Sequence, residues 1–300
     1  MVRPAGGDRM TCLQLLTDYP VIGVLLFVIL SPFVAAIILG LDRIITARMQ
    51  GRVGPPLLQP LYDVLKLFEK EKMVIHESQN FWIFGYLVFI VITGALLFGG
   101  SDILLVIFAL TLAEVALILG AFSSGSPYAH VGAERELIQL MAVEPMIIIA
   151  AVGFYEVTNS FNTLDIVSFG SPLILVLPGI FIGFVYILTV KLRKSPFDIS
   201  TSHHAHQELV RGLNTEFAGS TLGMVELAHL YETIILLGFL FLFFGFAAPI
   251  IGIIVIALVY LLEIFVDNAT SRVKWGFMFK SCWIVTAVAG VLNLMALYYI

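Results

Sequence analysis

The sequence predicts an all-α membrane protein with about eight transmembrane helices and one further amphipathic helix at the membrane interface. Of the 300 residues, 60% are hydrophobic and only 12% are charged. The mean hydropathy is +1.02, and long apolar runs recur along the chain. About 20 apolar residues suffice to cross a bilayer as a helix. A soluble core of this size could not bury so much apolar surface, so we expect a polytopic membrane protein.

We divide the chain into an N-terminal extension, residues 1–19, and a single polytopic membrane domain, residues 20–300. Met1 and Met10 are both candidate start residues. The apolar run after Tyr19 is too long for a signal peptide and lacks a small-residue cleavage site, so it is predicted as a retained helix. The predicted spans are 20–41, 81–99, 103–122, 137–157, 172–190, 222–246, 249–265 and 277–300.

The charge distribution predicts the orientation in the membrane. Short turns at 99–102 and 247–249 force antiparallel neighbours, which places loops 42–80, 123–136, 191–221 and 266–276 on one side. These loops and the adjoining helix ends carry fourteen of the sixteen basic residues, and only Arg3 and Arg9 lie on the other side. The positive-inside rule therefore predicts a multi-pass cell-membrane protein with cytoplasmic loops and both termini outside.

Composition also argues against several functions. The net charge of -5 and the lack of a basic run argue against nucleic-acid binding. Cys12 and Cys282 lie far apart and outside any CxxC spacing, so we predict no disulfide, zinc site or iron–sulfur cluster. Any redox cofactor is therefore expected on another chain.

The loop 42–80 contains a predicted interfacial helix. Apolar residues recur at helical spacing, and charged residues lie opposite them, as is typical of a helix lying in the interface plane. An ordinary amphipathic linker explains the pattern equally well. The apolar positions are Leu57, Leu61, Val64, Leu65 and Phe68, opposite Asp63, Lys66 and Lys70.

The stretch 191–232 concentrates the polar chemistry of the chain. It holds four of the six histidines and four basic residues, and it continues into a membrane helix at Glu226, His229 and Glu232. This density suggests that ions or protons pass here. His203, His204 and His206, with Glu208 beyond, have no standard zinc spacing and no cysteine, so we predict no metal site. These histidines are expected to pair with acids or to contact a partner subunit.

Several further acids fall inside predicted spans. Glu114 and Glu144 each lie roughly 11 to 12 Å from the cytoplasmic side, at 1.5 Å per residue, and Glu263 lies near the inner end of its helix. A charged acid at this depth costs several kcal/mol unless it meets water, a partner or a proton. For any single acid, a structural hydrogen bond between helices is an equal alternative. Several acids on different helices favour an ion path.

Two prolines are expected to shape the helices near these acids. Pro145 follows Glu144, and Pro178 lies in the fifth predicted span. Each removes a helix hydrogen bond and could kink its helix beside a water-filled space. Inert prolines are the alternative, because membrane helices tolerate them.

Three motifs resemble a known family. They are GRVGP with LLQPLYDVLKLFEKE (51–71), GAERE with VEP (132–145), and SPFD with QELVRGLNTEFAG (195–219). Together they resemble subunit 1 of respiratory complex I, the membrane subunit that joins its two arms. Three departures fit membrane-bound nickel–iron hydrogenases and sulfane reductases better than the quinone enzymes. They are the short step from Pro56 to Leu57, the stretch TSHHAHQ (201–207), and GSPY (125–128) near GAERE.

This resemblance implies a subunit without a redox centre that joins a redox arm to an ion-pumping arm. Its implied partners are a large nickel–iron-type subunit, a small iron–sulfur subunit and antiporter-like subunits, with the NiFe centre and iron–sulfur clusters on those partners. The implied electron donor is ferredoxin. From the residues and the motifs together, the predicted ion path comprises Glu114, Glu136, Glu144, Asp198, Glu208, Glu216, Glu226, His229, Glu232 and Glu263. The predicted docking residues are Arg52, Asp63, Lys66, Glu71, His203, His204, His206 and Arg211.

The leading hypothesis is therefore a coupling subunit of a ferredoxin-dependent, ion-translocating hydrogenase-type complex or of its sulfur-reducing relative. A quinone-reducing complex is the second hypothesis, and it predicts a cavity between the interfacial helix and the first helix. A passive anchor whose acids only hold helices together is the third. The sequence leaves open whether the ion is H+ or Na+ and which acceptor is reduced.

Overall fold

The helical architecture is visible in a computed structural model that describes residues 20–71, 77–200 and 211–299. Within these ranges, extended pairing is limited to an isolated antiparallel bridge between Asp102 and Asn162. Short 3-10 turns at Leu173–Leu175, Gly212–Asn214 and Gly245–Ala247 interrupt the connections. The helices are α1 (Pro20–Met49), α2 (Gln59–Glu69), α3 (Glu77–Phe98), α4 (Ile103–Phe122), α5 (Pro127–Thr158), α6 (Thr163–Val167), α7 (Pro178–Lys191), α8 (Ser220–Leu242), α9 (Pro249–Ala269) and α10 (Trp275–Tyr299).

The predicted fold class is confirmed. In the described part of the chain, seven helices are long and apolar enough to cross a membrane. They are α1, α3, α4, α5, α8, α9 and α10, and α7 is a shorter apolar helix of 14 residues. Helix α2 supplies the amphipathic element. The protein is therefore a multi-pass membrane protein.

The predicted kink at Pro178 is wrong. The span 172–190 begins with a 3-10 turn, and Pro178 then occupies the first turn of α7, where its missing N–H removes no helix hydrogen bond. The backbone N–H of Ile180, in the first turn of α7, donates to Oδ1 of Asn293 on α10 at 3.1 Å. Helix α5 continues through Pro145 without interruption.

Several helices extend beyond their apolar runs. Helix α1 continues to Met49 and α9 to Ala269, whereas α5 starts at Pro127, within the stretch predicted as loop 123–136. Packing explains the early start of α5, because the glycine at 132 lets the helix approach the backbone of Gly212 and Leu213 closely. A Cβ atom at this position would overlap those backbone atoms. Tertiary contact therefore extends a helix that hydropathy alone would begin later.

The central helices are α4, α5 and α8. In the most apolar stretch of α4, α5 and α8, 56%, 56% and 67% of the residues are buried, against 17% in α10. Large aromatic side chains such as Tyr86, Phe154 and Phe184 fill this core. Helices α1, α9 and α10 lie at the periphery and expose many large apolar side chains, as surfaces that face lipid or other membrane subunits do.

Helix α2 packs across the C-terminal half of α1 and the N-terminal half of α8. Its Val64 is buried in a small apolar cluster with Ala35 of α1 and Leu230 of α8. Tyr62, Leu65 and Phe68 are exposed, so the apolar side of α2 is divided between the protein and its surroundings. This division matches a helix at an interface better than a free linker.

Candidate functional site

Three carboxylates from three membrane helices meet in the interior. Glu114 comes from α4, Glu136 from α5 and Glu232 from α8, and their residues are only 4%, 7% and 5% exposed. They interact electrostatically with one another and with cations of residues 191–193. We call Glu114, Glu136, Lys191, Arg193, His229 and Glu232 the buried-charge cluster.

Two cations from the end of α7 neutralise part of this charge. Lys191, the last residue of α7, forms an ion pair with Glu114, and Nη2 of Arg193 lies 2.8 Å from Oε1 of Glu136. Arg193 adopts a left-handed backbone conformation with a φ of 52°. Burial by itself lowers the pKa of Arg193, but the carboxylates of Glu136 and Glu232 outweigh it and hold that pKa above its ordinary value. Arg193 is therefore a permanent cation in the cluster.

His229 connects Arg193 to Glu232. Its Nδ1 lies 3.2 Å from Oε2 of Glu232 and 3.1 Å from the Tyr86 hydroxyl, which itself donates to Glu232 Oε2 at 3.2 Å. Nη1 of Arg193 lies 2.6 Å from Nε2 and 3.0 Å from Nδ1 of the same ring. The histidine thus stands between a guanidinium and a carboxylate.

A very small cavity lies between the three carboxylates. Its volume is about 10 Å³, close to the volume that admits one water molecule, and Gln139 also lines it. Two of its lining residues carry buried acceptors with no hydrogen-bond partner, Oε2 of Glu136 and Oε1 of Gln139. The Ser200 hydroxyl lies near Glu136, and it also has no hydrogen-bond partner. The centre of the cluster is therefore polar and suited to water.

A larger cavity of about 260 Å³, which we call the inner cavity, adjoins the cluster. Glu226, His229 and Glu232 line one part of it, and Lys194 and Tyr260 line another. Because His229 is 21% exposed at its side chain whereas Glu232 is 6% exposed, the histidine is the more accessible member of that pair. The cluster thus borders a polar space, and His229 is its most exposed member.

The residues that follow α7 also pair with other helices. Lys194 Nζ lies 2.7 Å from Oδ2 of Asp42 on α1, and the Tyr260 hydroxyl donates to the same oxygen at 3.1 Å. The Ser195 backbone N–H donates to Asp267 of α9 at 2.8 Å. Further along, Arg272 Nη2 lies 2.6 Å from Oδ2 of Asp198. Residues 191–198, which we call the cation segment, therefore contact charged groups of α1, α4, α5 and α9.

The interfacial helix carries a separate polar site. Arg43 of α1 lies 2.7 Å from Asp63, and the Gln59 side chain donates to Asp63 at 2.8 Å. Partial burial raises the pKa of Asp63, but the hydrogen bonds and charge of Arg43, with Gln59, outweigh it and lower that pKa below its ordinary value. A cavity of about 240 Å³ between α1, α2 and α8, which we call the interface cavity, is lined by Lys66, Arg211 and Glu226, among others.

The structure brings some of the predicted ion-path residues together and leaves others apart. Glu114, Glu136, His229 and Glu232 form part of the buried-charge cluster, and Glu226 lines both the inner cavity and the interface cavity. Glu263 of α9 is buried and accepts from the Thr189 hydroxyl at 3.2 Å, while its second oxygen has no partner. Asp198 is buried beside Arg272.

Glu144 and Glu216 lie outside the cluster. Glu144 is half-buried and makes no hydrogen bond or ion pair with residues of the described ranges. At Glu216, the backbone carbonyl accepts from Gln79 at 3.3 Å. The expected grouping of Glu114 with Glu144 is thus replaced by a grouping with Glu136 and Glu232.

The predicted docking residues lie mainly at the surface. Arg52, Lys66, Glu71 and Arg211 are exposed, whereas Asp63 is partly buried. His203, His204, His206 and Glu208 lie outside the described residues. In the part of the chain that the structure describes, no group of three or more His, Cys, Asp or Glu side chains is arranged to hold a metal.

Sequence reasoning missed the partners of the acids. Lys191, Arg193 and Lys194 were predicted only as part of a polar stretch, although three cations within four residues at the end of an apolar helix are a signal that counter-ions lie nearby. Asp42 and Tyr260 were not predicted, because Asp42 directly follows the predicted span 20–41 and Tyr260 is an ordinary tyrosine inside the apolar span 249–265. Tyr86 carries no distinguishing signal among ten tyrosines.

Fold and site together define a polytopic α-helical membrane protein with a buried ionic network on its predicted cytoplasmic half. The family model described as NADH dehydrogenase matches residues 22–298. The chain therefore belongs to this family, which agrees with the resemblance of its motifs to subunit 1 of complex I.

Individual relatives point to the same family. The chain is 28% identical to hydrogenase-4 component C of Escherichia coli (strain K12), over 84% of this chain and 88% of that one. It is 30% identical to a putative NADH-ubiquinone oxidoreductase of Methanocaldococcus jannaschii, over 86% and 90% of the two chains. It is 29% identical to a subunit of the NADH-quinone oxidoreductase of Syntrophotalea carbinolica, over 95% and 96%.

A solved structure shares the fold. It is the membrane-bound sulfane sulfur reductase, an archaeal respiratory membrane complex, and one of its chains superimposes with a TM-score of 0.79 at 26% identity. The match covers 91% of this chain and 99% of that chain. Together with hydrogenase-4 component C, this neighbour is consistent with the hydrogenase-type branch that the sequence predicts.

Proposed function

We propose that this chain is the coupling subunit of a ferredoxin-dependent, membrane-bound hydrogenase-type complex. In this role it joins a peripheral redox arm to an ion-pumping arm and couples electron transfer to the movement of H+ or Na+. The large nickel–iron-type subunit and the small iron–sulfur subunit bind at the cytoplasmic loops and carry the NiFe centre and the iron–sulfur clusters. Antiporter-like subunits bind within the membrane. The relatives named as hydrogenase component and sulfane sulfur reductase support this assignment.

The buried-charge cluster is the observation that carries the proposal. A purely structural ion pair inside a membrane protein needs equal numbers of charges, because an unpaired charge there is costly. Here three buried carboxylates meet two basic side chains and one histidine. The ionic state of such a site depends on its proton or cation occupancy, so it can respond to charge elsewhere.

The cation segment provides the route for that response. It begins at the inner end of α7 and precedes the histidine-rich stretch proposed to contact the redox arm. A change of charge at a redox centre above this surface alters the electrostatic potential at Arg193 and Lys191, and through their ion pairs at Glu136 and Glu114. The exposed residues Arg52, Lys66, Glu71 and Arg211 are proposed to contact the redox subunits, together with Asp63 and the histidines at 203, 204 and 206.

Replacing Glu232 by Gln tests the proposal. The purified complex is reconstituted in liposomes, ferredoxin oxidation is followed optically, and ion uptake is followed with a pH-sensitive dye and with radioactive sodium. We expect the ratio of ions moved to electrons transferred to fall about tenfold or more, while electron transfer in detergent persists.

The exposed Glu156→Gln change on α5 is the matched control and should leave the ratio unchanged. An unchanged ratio in an assembled Glu232→Gln complex would show that the acids only hold helices together. That result would support the passive-anchor alternative.

A quinone-reducing complex is the second candidate, and the interface cavity favours it. The cavity lies between α1 and α2, where this candidate requires one, and several relatives are named as quinone oxidoreductases. The cavity is lined by four charged side chains, those of Arg43, Asp63, Lys66 and Arg211. A site for an apolar quinone ring is expected to be mostly apolar, so this lining argues against the candidate. Quinone reduction that is sensitive to quinone-site inhibitors would favour this candidate over the first.

A further inference from the structure

A further cavity of about 360 Å³, which we call the apolar slot, lies beyond the buried-charge cluster along α8. It runs between the N-terminal half of α1 and the C-terminal half of α8, and the end of α3 with α6 closes one end of it. Its lining side chains are apolar apart from those of Ser31 and Thr163. The residues predicted for the ion path and for docking line other parts of the molecule.

The slot is long and follows the helices. One end lies at α6, beside the turn 99–102 that joins two membrane helices, where Thr163 contacts Ser101. The other end lies at Val34, halfway along α1, and the lining on α1 begins at Gly23. The distance from Gly23 to Val34 along the helix is roughly 16 Å, at 1.5 Å per residue. Because the hydrocarbon core of a bilayer is about 30 Å thick, the slot extends through about one leaflet.

The slot is also narrow. A volume of about 360 Å³ over a length of roughly 16 Å corresponds to a mean width of about 5 Å. Carbon atoms in contact lie about 4 Å apart, so one hydrocarbon chain fits this width. A helix of a partner subunit is about 10 to 12 Å across with its side chains, so it does not fit. The dimensions therefore select a single extended hydrocarbon chain.

One side of the slot opens toward the surroundings of the membrane helices. Leu26, Leu30 and Phe98 line the slot and are exposed, whereas Phe27 and Leu97 on its floor are buried. Exposed apolar side chains at membrane depth face lipid or another membrane subunit. A lipid chain in the bilayer can therefore enter the slot sideways without crossing a polar layer.

The polar groups beside the slot do not favour water as its occupant. Pro32 of α1 has no N–H, so the Val28 carbonyl lacks its helix partner, and the Tyr231 hydroxyl donates to that carbonyl at 2.8 Å. The Thr163 hydroxyl donates to a backbone carbonyl at 3.0 Å. Ser31 is the other polar side chain of the lining, and a buried water needs about two to four polar partners.

We propose that the apolar slot binds one hydrocarbon chain of a membrane lipid. The chain lies parallel to α1 and α8, with the lipid headgroup at the α6 end and the end of the chain near Val34 and Ile234. It completes the packing between α1 and α8 where these helices leave a gap. This site is separate from the proposed function and does not depend on it.

A phospholipid with a photoreactive diazirine near the end of one acyl chain tests the site. The purified complex is reconstituted in phosphatidylcholine liposomes that contain this lipid, and the cross-linked residues are mapped by mass spectrometry. We expect labelling at Val34 and Ile234, where the end of the chain lies. Leu258, an exposed residue near the middle of α9, reports labelling by the lipid that surrounds the complex.

Gly238→Leu is the variant that fills the slot. A Cβ atom at this glycine would lie 3.1 Å from Leu97 Cδ2 and 3.2 Å from Phe98 Cζ, and both of these residues line the slot. Because a leucine side chain takes up the space of the lipid chain, we expect labelling at Val34 to fall about fivefold or more relative to labelling at Leu258.

Gly85→Leu on α3 is the matched control, since a Cβ atom at Gly85 meets no other atom within 4 Å. It should leave the ratio of Val34 to Leu258 labelling unchanged. Ser31→Leu fills the slot from α1 and gives a second variant in case the Gly238→Leu complex does not assemble.

Two results would overturn the lipid site. Labelling at Leu258 without labelling at Val34 and Ile234 in the unaltered complex would show that a partner subunit covers the slot or that the slot is empty. An unchanged ratio of Val34 to Leu258 labelling in an assembled Gly238→Leu or Ser31→Leu complex would show that the label comes from lipid outside the slot.

Discussion

The cation segment makes two ionic sites with opposite properties. Lys194 and Asp42 form a one-to-one pair, in which Asp42 also accepts from Tyr260, and the ammonium group lies 4.5 Å over the Tyr260 ring. The buried-charge cluster, only a few residues back along the same segment, has three carboxylates against two basic side chains and one histidine. A satisfied neutral pair holds structure, whereas a site with surplus negative charge can exchange a cation. The same segment thus combines an anchor with an exchange site.

The largest expected effect comes from breaking the anchor. Replacing Lys194 by Met leaves the Asp42 carboxylate, whose side chain is 15% exposed, without its cation. Removing one partner of a buried pair costs about 3 to 5 kcal/mol, which is an upper bound here. Thermal unfolding of the purified complex should show this loss, and the double change with Asp42→Asn should recover much of it. A stable Lys194→Met complex that has lost only its ion coupling would place Lys194 in the exchange site.

Glu114→Gln should reduce coupling with less effect on stability. The change removes one carboxylate from a cluster that has a surplus of them, and Lys191 stays near the remaining acids. We expect the ratio of ions moved to electrons transferred to fall about tenfold. The measurement is the liposome assay with Glu156→Gln as control. Failure of the Glu114→Gln complex to assemble, or an unchanged ratio in an assembled complex, would make Glu114 an anchor residue.

Glu144→Gln should have a weaker effect of the same kind. This acid is half-buried and has no hydrogen bond or ion pair within the described ranges. We expect the ratio of ions moved to electrons transferred to fall only about twofold, with electron transfer largely intact. Unchanged ion movement would remove Glu144 from the path.

The smallest effect is expected at the interfacial helix. The Arg43 and Asp63 side chains are 47% and 39% exposed, so their pair contributes at most about 1 kcal/mol and should weaken with salt. Because the folded pKa of Asp63 is lowered, this contribution is present above the unfolded value of about 3.9 and is lost as pH falls through the folded pKa.

The measurement compares the unfolding temperature of the Asp63→Asn complex with that of the unaltered complex, at neutral and acidic pH and at two salt concentrations. The difference should shrink at low pH and at high salt. A large loss that is insensitive to salt would mean that Asp63 is buried by a partner subunit.

Much of the candidate site was predictable from the sequence one residue at a time. Glu114, His229 and Glu232 were predicted because acids and a histidine in apolar runs are rare and costly. Glu136 was predicted only from its place in the GAERE motif. Their grouping was not predictable, because it depends on how three helices are rotated against one another. Glu144 shows the limit of a depth argument: equal depth along two helices does not bring two side chains to the same face.

The helix boundaries show the same limit. Hydropathy located every membrane helix, but it began α5 ten residues late, since 137 was expected and 127 is observed. The early start depends on a close approach between Gly132 and the turn at Gly212–Asn214, which lies some eighty residues away in sequence. Pro178 was expected to kink a helix and instead begins one, because Asn293 of α10 satisfies the first turn of α7.

The sequence by itself determined the fold class, the order of the helices and which charged residues lie at membrane depth. These are local properties, since a run of apolar residues must form a helix in a bilayer whatever surrounds it. Only the tertiary structure decided that Lys191 meets Glu114, that Arg193 stands between Glu136 and His229, and that Lys194 holds Asp42. Ion pairing acts over a few ångströms between distant parts of the chain, so it follows from helix packing and cannot be inferred from spacing along the sequence.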